Sequence, residues 1–184
     1  MSVRVALIVG SLRKGSYSRA VGMAMKEIAA PGLDLVPVEI GDLPLYDPDL
    51  DNDAPPPAWT RFRDEVAATQ AVLFVTPEYN RSIPGALKNA LDVGSRPYGH
   101  SVWSGKPAAI VSVSPGALGA FGANHHLRQP LVFLHMPTMQ QPEAYIGNVA
   151  DLLDENGRLK KDDTRKFLKS FTDAFEAWIG KTKE

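Results

Sequence analysis

The sequence predicts an α/β domain built on a doubly wound, five-stranded parallel sheet with helices on both faces. Two observations predict it. Strand-sized apolar runs alternate along the chain with segments of helical period. The runs themselves (Val-Ala-Leu-Ile-Val at 5–9, Ala-Val-Leu-Phe-Val at 71–75, Ala-Ala-Ile-Val at 108–111) lack polar alternation, as strands do when both sheet faces are covered.

The first strand is read at 3–9 and the first helix at 18–29, where Val21, Ala24, Met25 and Ile28 fall at i, i+3, i+4, i+7 and form one buried stripe. A second strand follows at 33–40. Residues 47–57, rich in proline and aspartate, read as a long loop rather than a domain boundary, because no second core follows. Next come a helix at 59–69, a strand at 71–76 and a helix at 84–93. Pro84 suits that helix's first turn, where its missing N–H is not needed. A fourth strand at 107–113 leads to a helix at 123–134, and a weaker pattern puts the fifth strand within 139–146. The closing helix, 162–179, sets Phe167, Phe171, Ala174, Phe175 and Trp178 on one face. With 184 residues and no repeat, the chain is expected to form one domain, residues 1–184.

Composition narrows the chemistry. There is no cysteine, so thiolate nucleophiles, zinc–cysteine sites, cysteine-ligated clusters and thiol redox are excluded. Twenty basic against 21 acidic residues give a net charge of −1, which provides no field for nucleic acid or an anionic membrane. The apolar runs are too short to span a bilayer and no targeting segment precedes the first, so a cytoplasmic location is expected.

In open α/β sheets, ligands bind beyond the carboxyl ends of the strands, where strand order reverses. Three loops there are unusual. The first, Gly10-Ser-Leu-Arg-Lys-Gly-Ser-Tyr-Ser-Arg19, packs serines, glycines and three cations at a helix start and reads as an anion cradle. The alternative is a capped loop with solvated charges. Ser16 and Tyr17 stand where a Walker A loop beginning at Gly10 needs Lys and Ser/Thr, and no Gly-x-Gly-x-x-Gly turn is present, so a terminal phosphate fits best. The second loop, Thr76-Pro-Glu-Tyr-Asn-Arg-Ser-Ile-Pro-Gly85, suggests a rigid platform for a planar heterocycle, with an ordinary strand-to-helix turn as the alternative. In the third, 112–122, Gly116, Gly119 and Gly122 leave room for a flat ligand; a plain connection is again the alternative.

Together these residues resemble the NADPH-dependent FMN reductase family, flavodoxin-like flavoproteins that include bacterial quinone, chromate and azo-dye reductases. Gly-Ser-Leu-Arg-Lys-Gly-Ser at 10–16 and Pro-Glu-Tyr-Asn at 77–80 carry the resemblance, continued by Ser82, Pro84-Gly85, Leu87-Lys88-Asn89-Ala90 and Asp92. It runs from about residue 3 to 146 and covers the final helix less specifically. The resemblance implies that Ser11, Arg13, Ser16 and Ser18 hold the FMN phosphate, with Tyr17 contributing backbone. It implies that Pro77, Glu78, Tyr79 and Asn80 line the isoalloxazine, and that Ser114 and Gly116 approach from the other side. Ser18 stands where relatives often have Asn, and Gly119-Ala120 where they commonly have Gly-Gly.

The implied reaction is ping-pong: NAD(P)H, as NADPH or NADH, reduces FMN, and a small acceptor (quinone, azo compound, chromate or free flavin) then takes the electrons from the same face. No catalytic side chain and no metal ligand is nominated, since the cofactor carries the chemistry. The resemblance also implies a homodimer or homotetramer, using the region of His125 and His126 for subunit contacts. Arg81, Tyr98 and Trp103 are expected on loops within reach of a neighbour's flavin. Three other readings compete. A non-enzymatic flavodoxin-type carrier is disfavoured by the near-neutral charge. A hydrolase using Ser11 is disfavoured by the absence of a Gly-x-Ser-x-Gly elbow. Asp47, Asp49 and Asp51 open like a calcium loop, but Asn52 and Ala58 replace its glycine and closing glutamate, leaving a solvated acidic loop.

Overall fold

The computed structural model describes residues 2–182. Strands β1 (Val3–Val9), β2 (Leu33–Val38), β3 (Ala71–Thr76), β4 (Ala108–Val113) and β5 (Ala144–Ile146) form one parallel sheet in the order β2-β1-β3-β4-β5. This is the flavodoxin-like 2-1-3-4-5 order, with its switch point between β1 and β3. The connecting helices are α1 (Tyr17–Ile28), α2 (Pro57–Ala67), α3 (Gly85–Gly94), α4 (Phe121–Phe133) and α5 (Asp162–Thr182).

Burial on both faces explains the missing alternation in the strands. On one face Val5, Leu7, Leu73, Val75 and Val111 pack with Val21, Met25, Phe171 and Phe175 of α1 and α5. On the other, Ala6, Ile8, Phe74 and Ile110 pack with Phe62, Leu87, Trp103 and Leu127 from α2, α3, α4 and the loop before β4. Every residue of β3 and β4 is buried, and their two polar side chains, Thr76 and Ser112, donate to the carbonyls of Pro77 and Gly119.

Several element limits differ from expectation. β2 stops at Val38, and β5 is three residues long; ahead of it the chain meets β4 through the isolated Ala108–Thr138 bridge, outside any named strand. Pro84 caps α3 from outside its first turn, whereas α2 starts two residues early on Pro57. On α5, Phe171 and Phe175 are buried while Phe167 is 36% exposed, so the apolar face starts one turn later.

Two corrections concern residues outside the sheet. Trp103 is fully buried, its indole N–H donating to the Leu91 carbonyl at 3.0 Å, and no surface role is open to it. Arg81 and Tyr98 are exposed. The loop 47–57 is not wholly solvated either. Asp51 accepts both Arg63 guanidinium nitrogens, at 2.8 and 2.9 Å, with only 5% of its side chain exposed. Arg63 also donates to the Val93 carbonyl at the end of α3, so the pair straps the loop to α2 and α3. Those guanidinium hydrogen bonds hold the Asp51 carboxyl below the usual carboxylate range.

Candidate functional site

The site is built where β1, β3 and β4 end. After β1, Gly10 passes so close to β3 that an added Cβ would lie 3.0 Å from Thr76 Oγ1 and 3.2 Å from Leu87, tight contacts that glycine avoids. Ser16 then caps α1, its hydroxyl accepting the Arg19 N–H at 3.2 Å. Among the described residues the N–H groups of Tyr17 and Ser18 have no protein acceptor, leaving two first-turn donors open to an anion. Arg13 folds back over its own loop: the guanidinium donates to the Gly15 carbonyl and sits 5.2 Å from the centre of the Tyr17 ring. It is therefore held at the cradle rather than free in solvent.

The loop after β3 is a two-residue hairpin rather than a proline-stiffened stretch. Tyr79 and Ser82 exchange both backbone hydrogen bonds at 2.9 Å, and Asn80 and Arg81 between them both have positive φ, 52° and 63°. That is the requirement of a type I′ turn. Asparagine tolerates it; arginine gives no sequence signal for it.

Glu78 stitches this hairpin to α4. Ala120 precedes α4 with no hydroxyl to cap it, and the Glu78 carboxylate fills that role by accepting the Ala123 N–H at 2.9 Å. Its other oxygen faces Arg81 at 3.3 Å. From α4, His126 Nδ1 shares a hydrogen with Ser82 Oγ at 2.7 Å, a second tie to the hairpin. Glu78→Ala is expected to cost about 1–2 kcal/mol of stability and Glu78→Gln less, since the amide oxygen still accepts. Urea unfolding of the two variants checks the order.

The glycines after β4 serve packing rather than ligand access. An added Cβ at Gly119 would lie 2.6 Å from the Tyr145 carbonyl carbon, and at Gly122 it would lie 2.8 Å from Glu78 Oε2. Gly116 meets only Ser114 Oγ, at 3.5 Å, and its carbonyl accepts Asn148 N–H at 3.3 Å. Ala120 adopts φ +61° while fully buried. Glycine there would lose about 0.8 kcal/mol of methyl burial and regain about 1–2 kcal/mol of left-handed strain, so Ala120→Gly is expected to stabilise by up to about 1 kcal/mol. Gly119→Ala, strained and clashing with backbone, is expected to cost about 2 kcal/mol or more. Thermal melts of the pair separate the two sites.

These loops enclose a cleft of about 260 Å³. From the first loop it takes Ser11, Arg13, Ser16, Tyr17 and Ser18; from the second, Pro77, Glu78 and Tyr79; from the third, Ser114. Asn80 stands at the exposed hairpin tip and Gly116 lies behind Ser114, so neither lines it. Val113 and Pro115 line it and were not legible, being an ordinary strand end and a turn proline. Nor was the prop beneath the third loop, where the Ser114 N–H reaches the Ile146 carbonyl at 2.9 Å and Val149 N–H reaches the Ser114 carbonyl at 3.3 Å. The three cations of the first loop separate: Arg13 faces this cleft, whereas Lys14 and Arg19 do not. Tyr145, on β5 beside α4, contacts His125 at 2.9 Å; burial and then the nearby Glu143 carboxylate push its phenol up to about 12. No helix among the described residues is long and apolar enough to cross a membrane.

The family model described as NADPH-dependent FMN reductase matches residues 3–151. A quinone reductase from Pseudomonas putida is 63% identical over 175 residues, covering 95% of this chain and 94% of that protein. A 2-hydroxy-1,4-benzoquinone reductase from a Burkholderia species is 45% identical, with 97% of each chain covered. Among solved structures, FerB, a flavoenzyme NAD(P)H:(acceptor) oxidoreductase from Paracoccus denitrificans, superposes with a TM-score of 0.91 at 43% identity, covering 98% of both chains.

Proposed function

The chain belongs to the NADPH-dependent FMN reductase family, and from that premise we propose that FMN lies in the cleft between the three loops and serves NAD(P)H and then a quinone at one open face. Bound there, FMN supplies the two-electron chemistry that no side chain of a cysteine-free chain has, taking hydride from NAD(P)H and passing electrons to an acceptor. The observation that carries this reading is convergence. Residues as far apart in sequence as Ser11 and Ser114, chosen for a phosphate and a flat ring, meet in one cleft at the strand ends.

The donor set fits an FMN monophosphate. The hydroxyls of Ser11, Ser16 and Ser18, the open N–H groups of Tyr17 and Ser18 and the Arg13 guanidinium form a small cationic pocket suited to a dianion. Pro77, Glu78 and Tyr79 form the wall along the ring, and Ser114 with Pro115 the wall opposite. The backbone N–H of Glu78, without an acceptor among the described residues, is available to the ring's polar edge, where reduction adds negative charge. Glu78's carboxylate is committed to α4. Its part is to hold the platform still, and no acid, base or nucleophile is assigned.

The activities of the relatives support a quinone as acceptor: the Pseudomonas putida protein is a quinone reductase and the Burkholderia protein a 2-hydroxy-1,4-benzoquinone reductase. An exposed ring face selects weakly, so azo compounds, chromate and free flavin remain secondary acceptors. We also propose a homodimer or homotetramer formed through α4, whose Phe121, Val132 and Phe133 are 52%, 76% and 88% exposed, with Arg81 and Tyr98 available to a neighbour's site. A cytoplasmic location belongs to the same proposal. Steady-state turnover with NADPH and a benzoquinone is expected to give parallel double-reciprocal lines. Turnover appearing only when a partner reductase is added would instead identify a flavodoxin-type carrier. A stable monomer by light scattering at micromolar concentration would remove the assembly.

A further inference from the structure

We propose that the adenosine 2′-phosphate end of NADPH binds in a second cleft, on the far side of the first loop from the FMN cleft. The inference rests on the reading that FMN occupies the first cleft.

The second cleft, about 440 Å³, lies between α1 and the carboxyl end of β2. Ser11 and Arg13 belong to the walls of both clefts, so a ligand spanning the two stays on one continuous surface. Lys14 and Arg19, the two cations of the phosphate loop that do not face the FMN cleft, face this one. They put two positive charges against a single carboxylate, Glu39, with Arg13 left to the FMN phosphate. That carboxylate is already compensated, since Arg19 donates to it at 2.6 and 3.4 Å. A net positive rim favours a phosphate over the bare ribose diol of NADH. Between these charges the wall is aliphatic, made by Val9, Leu12, Met23, Val38 and Ile40, a surface on which a purine can lie.

The end of β2 is also where dinucleotide-binding sheets of the related open type meet the adenosine ribose, through an acidic residue for NAD or a nearby arginine for NADP. That comparison is an analogy; the charges here decide between the two. A third cleft, between α1 and residues 153–157, shares Lys14 and Arg19 but adds Asp154 and Glu155. Those two carboxylates cancel the cations and oppose a phosphate dianion, so the nucleotide's charged end belongs on the β2 side.

Calorimetric titration of the oxidised, FMN-loaded protein with adenosine 2′,5′-bisphosphate, 5′-ADP and inorganic phosphate tests the assignment. The bisphosphate is expected to bind at least tenfold more tightly than 5′-ADP or phosphate. Lys14→Glu and Arg19→Gln are each expected to weaken it by tenfold or more, with flavin absorbance per subunit unchanged. Equal affinity for the bisphosphate and 5′-ADP, or an undiminished affinity in both variants, would overturn the proposal. Loss of flavin from the Lys14 variant would also overturn it, by assigning that lysine to the FMN phosphate. Wild-type protein that retains no flavin would instead mark failure of the FMN reading itself.

Discussion

Arg63→Ala is expected to destabilise the fold by about 3–5 kcal/mol, the usual cost of leaving one member of a buried ion pair without its partner. For a chain of this size that corresponds to a fall in melting temperature on the order of 10 °C. The effect is large because the Asp51 carboxylate is 5% exposed and takes both its strong hydrogen bonds from Arg63, while the same guanidinium closes the end of α3 through the Val93 carbonyl. Tyr46 gives Asp51 one further bond at 3.2 Å, too little to hold the charge alone. Removing both charges, in Asp51→Asn with Arg63→Gln, is expected to recover part of the loss, and a double-mutant cycle measures how much.

The pH dependence follows from the same pair. Asp51's pKa is depressed in the folded state, so its contribution is fully present above the unfolded value of about 3.9 and is lost as pH falls through the lower folded value. In Arg63→Ala the buried carboxylate loses its partner and its folded pKa rises, so the wild-type advantage should narrow as acid protonates Asp51, beginning above the unfolded value of about 3.9. A gap independent of pH would mean that the arginine acts by packing rather than by charge.

The double variant Arg13→Ala with Ser16→Gly is expected to weaken FMN binding by on the order of a hundredfold or more. Each removed charge-assisted phosphate bond contributes about 1.5–3 kcal/mol, and about 1.4 kcal/mol is one decade of affinity. Glycine is chosen at position 16 because that hydroxyl also caps α1, and glycine at a cap costs only a few tenths of a kcal/mol where alanine costs about 1. Helix stability and phosphate binding are thereby separated. Quenching of FMN fluorescence on titration with apoprotein gives the dissociation constant, and the apoprotein's melting temperature reports the cap. Unchanged affinity would move the phosphate away from this loop.

Much of this was legible in the sequence because it is local. An unbroken apolar run such as residues 71–75 can be little other than a doubly covered strand. The three ligand loops were legible because topology forces the ends of β1, β3 and β4 together once the sheet is parallel. What stayed hidden depends on contacts distant in sequence. The hairpin at Tyr79–Ser82 carries Asn-Arg where a type I′ turn usually signals with glycine. Glu78 looked like a ring contact, and its work as a cap appears only when α4 arrives 45 residues later. Trp103 sits in a polar stretch and is buried by α3, whose Gly94 leaves no room for a Cβ beside the indole. Lys14 and Arg19 are neighbours of Arg13 in the chain, but the loop turns them to its opposite side.

The central claim is that this chain carries FMN between its three loops and reduces it with NAD(P)H unaided. Anaerobic stopped-flow mixing of the FMN-loaded protein with NADPH tests it most directly. The account predicts loss of the flavin's visible absorbance in a single turnover at roughly 1–1,000 per second, followed by recovery when a quinone is added. Flavin that stays oxidised in excess NADPH, and is bleached only when a second reductase is present, would contradict it.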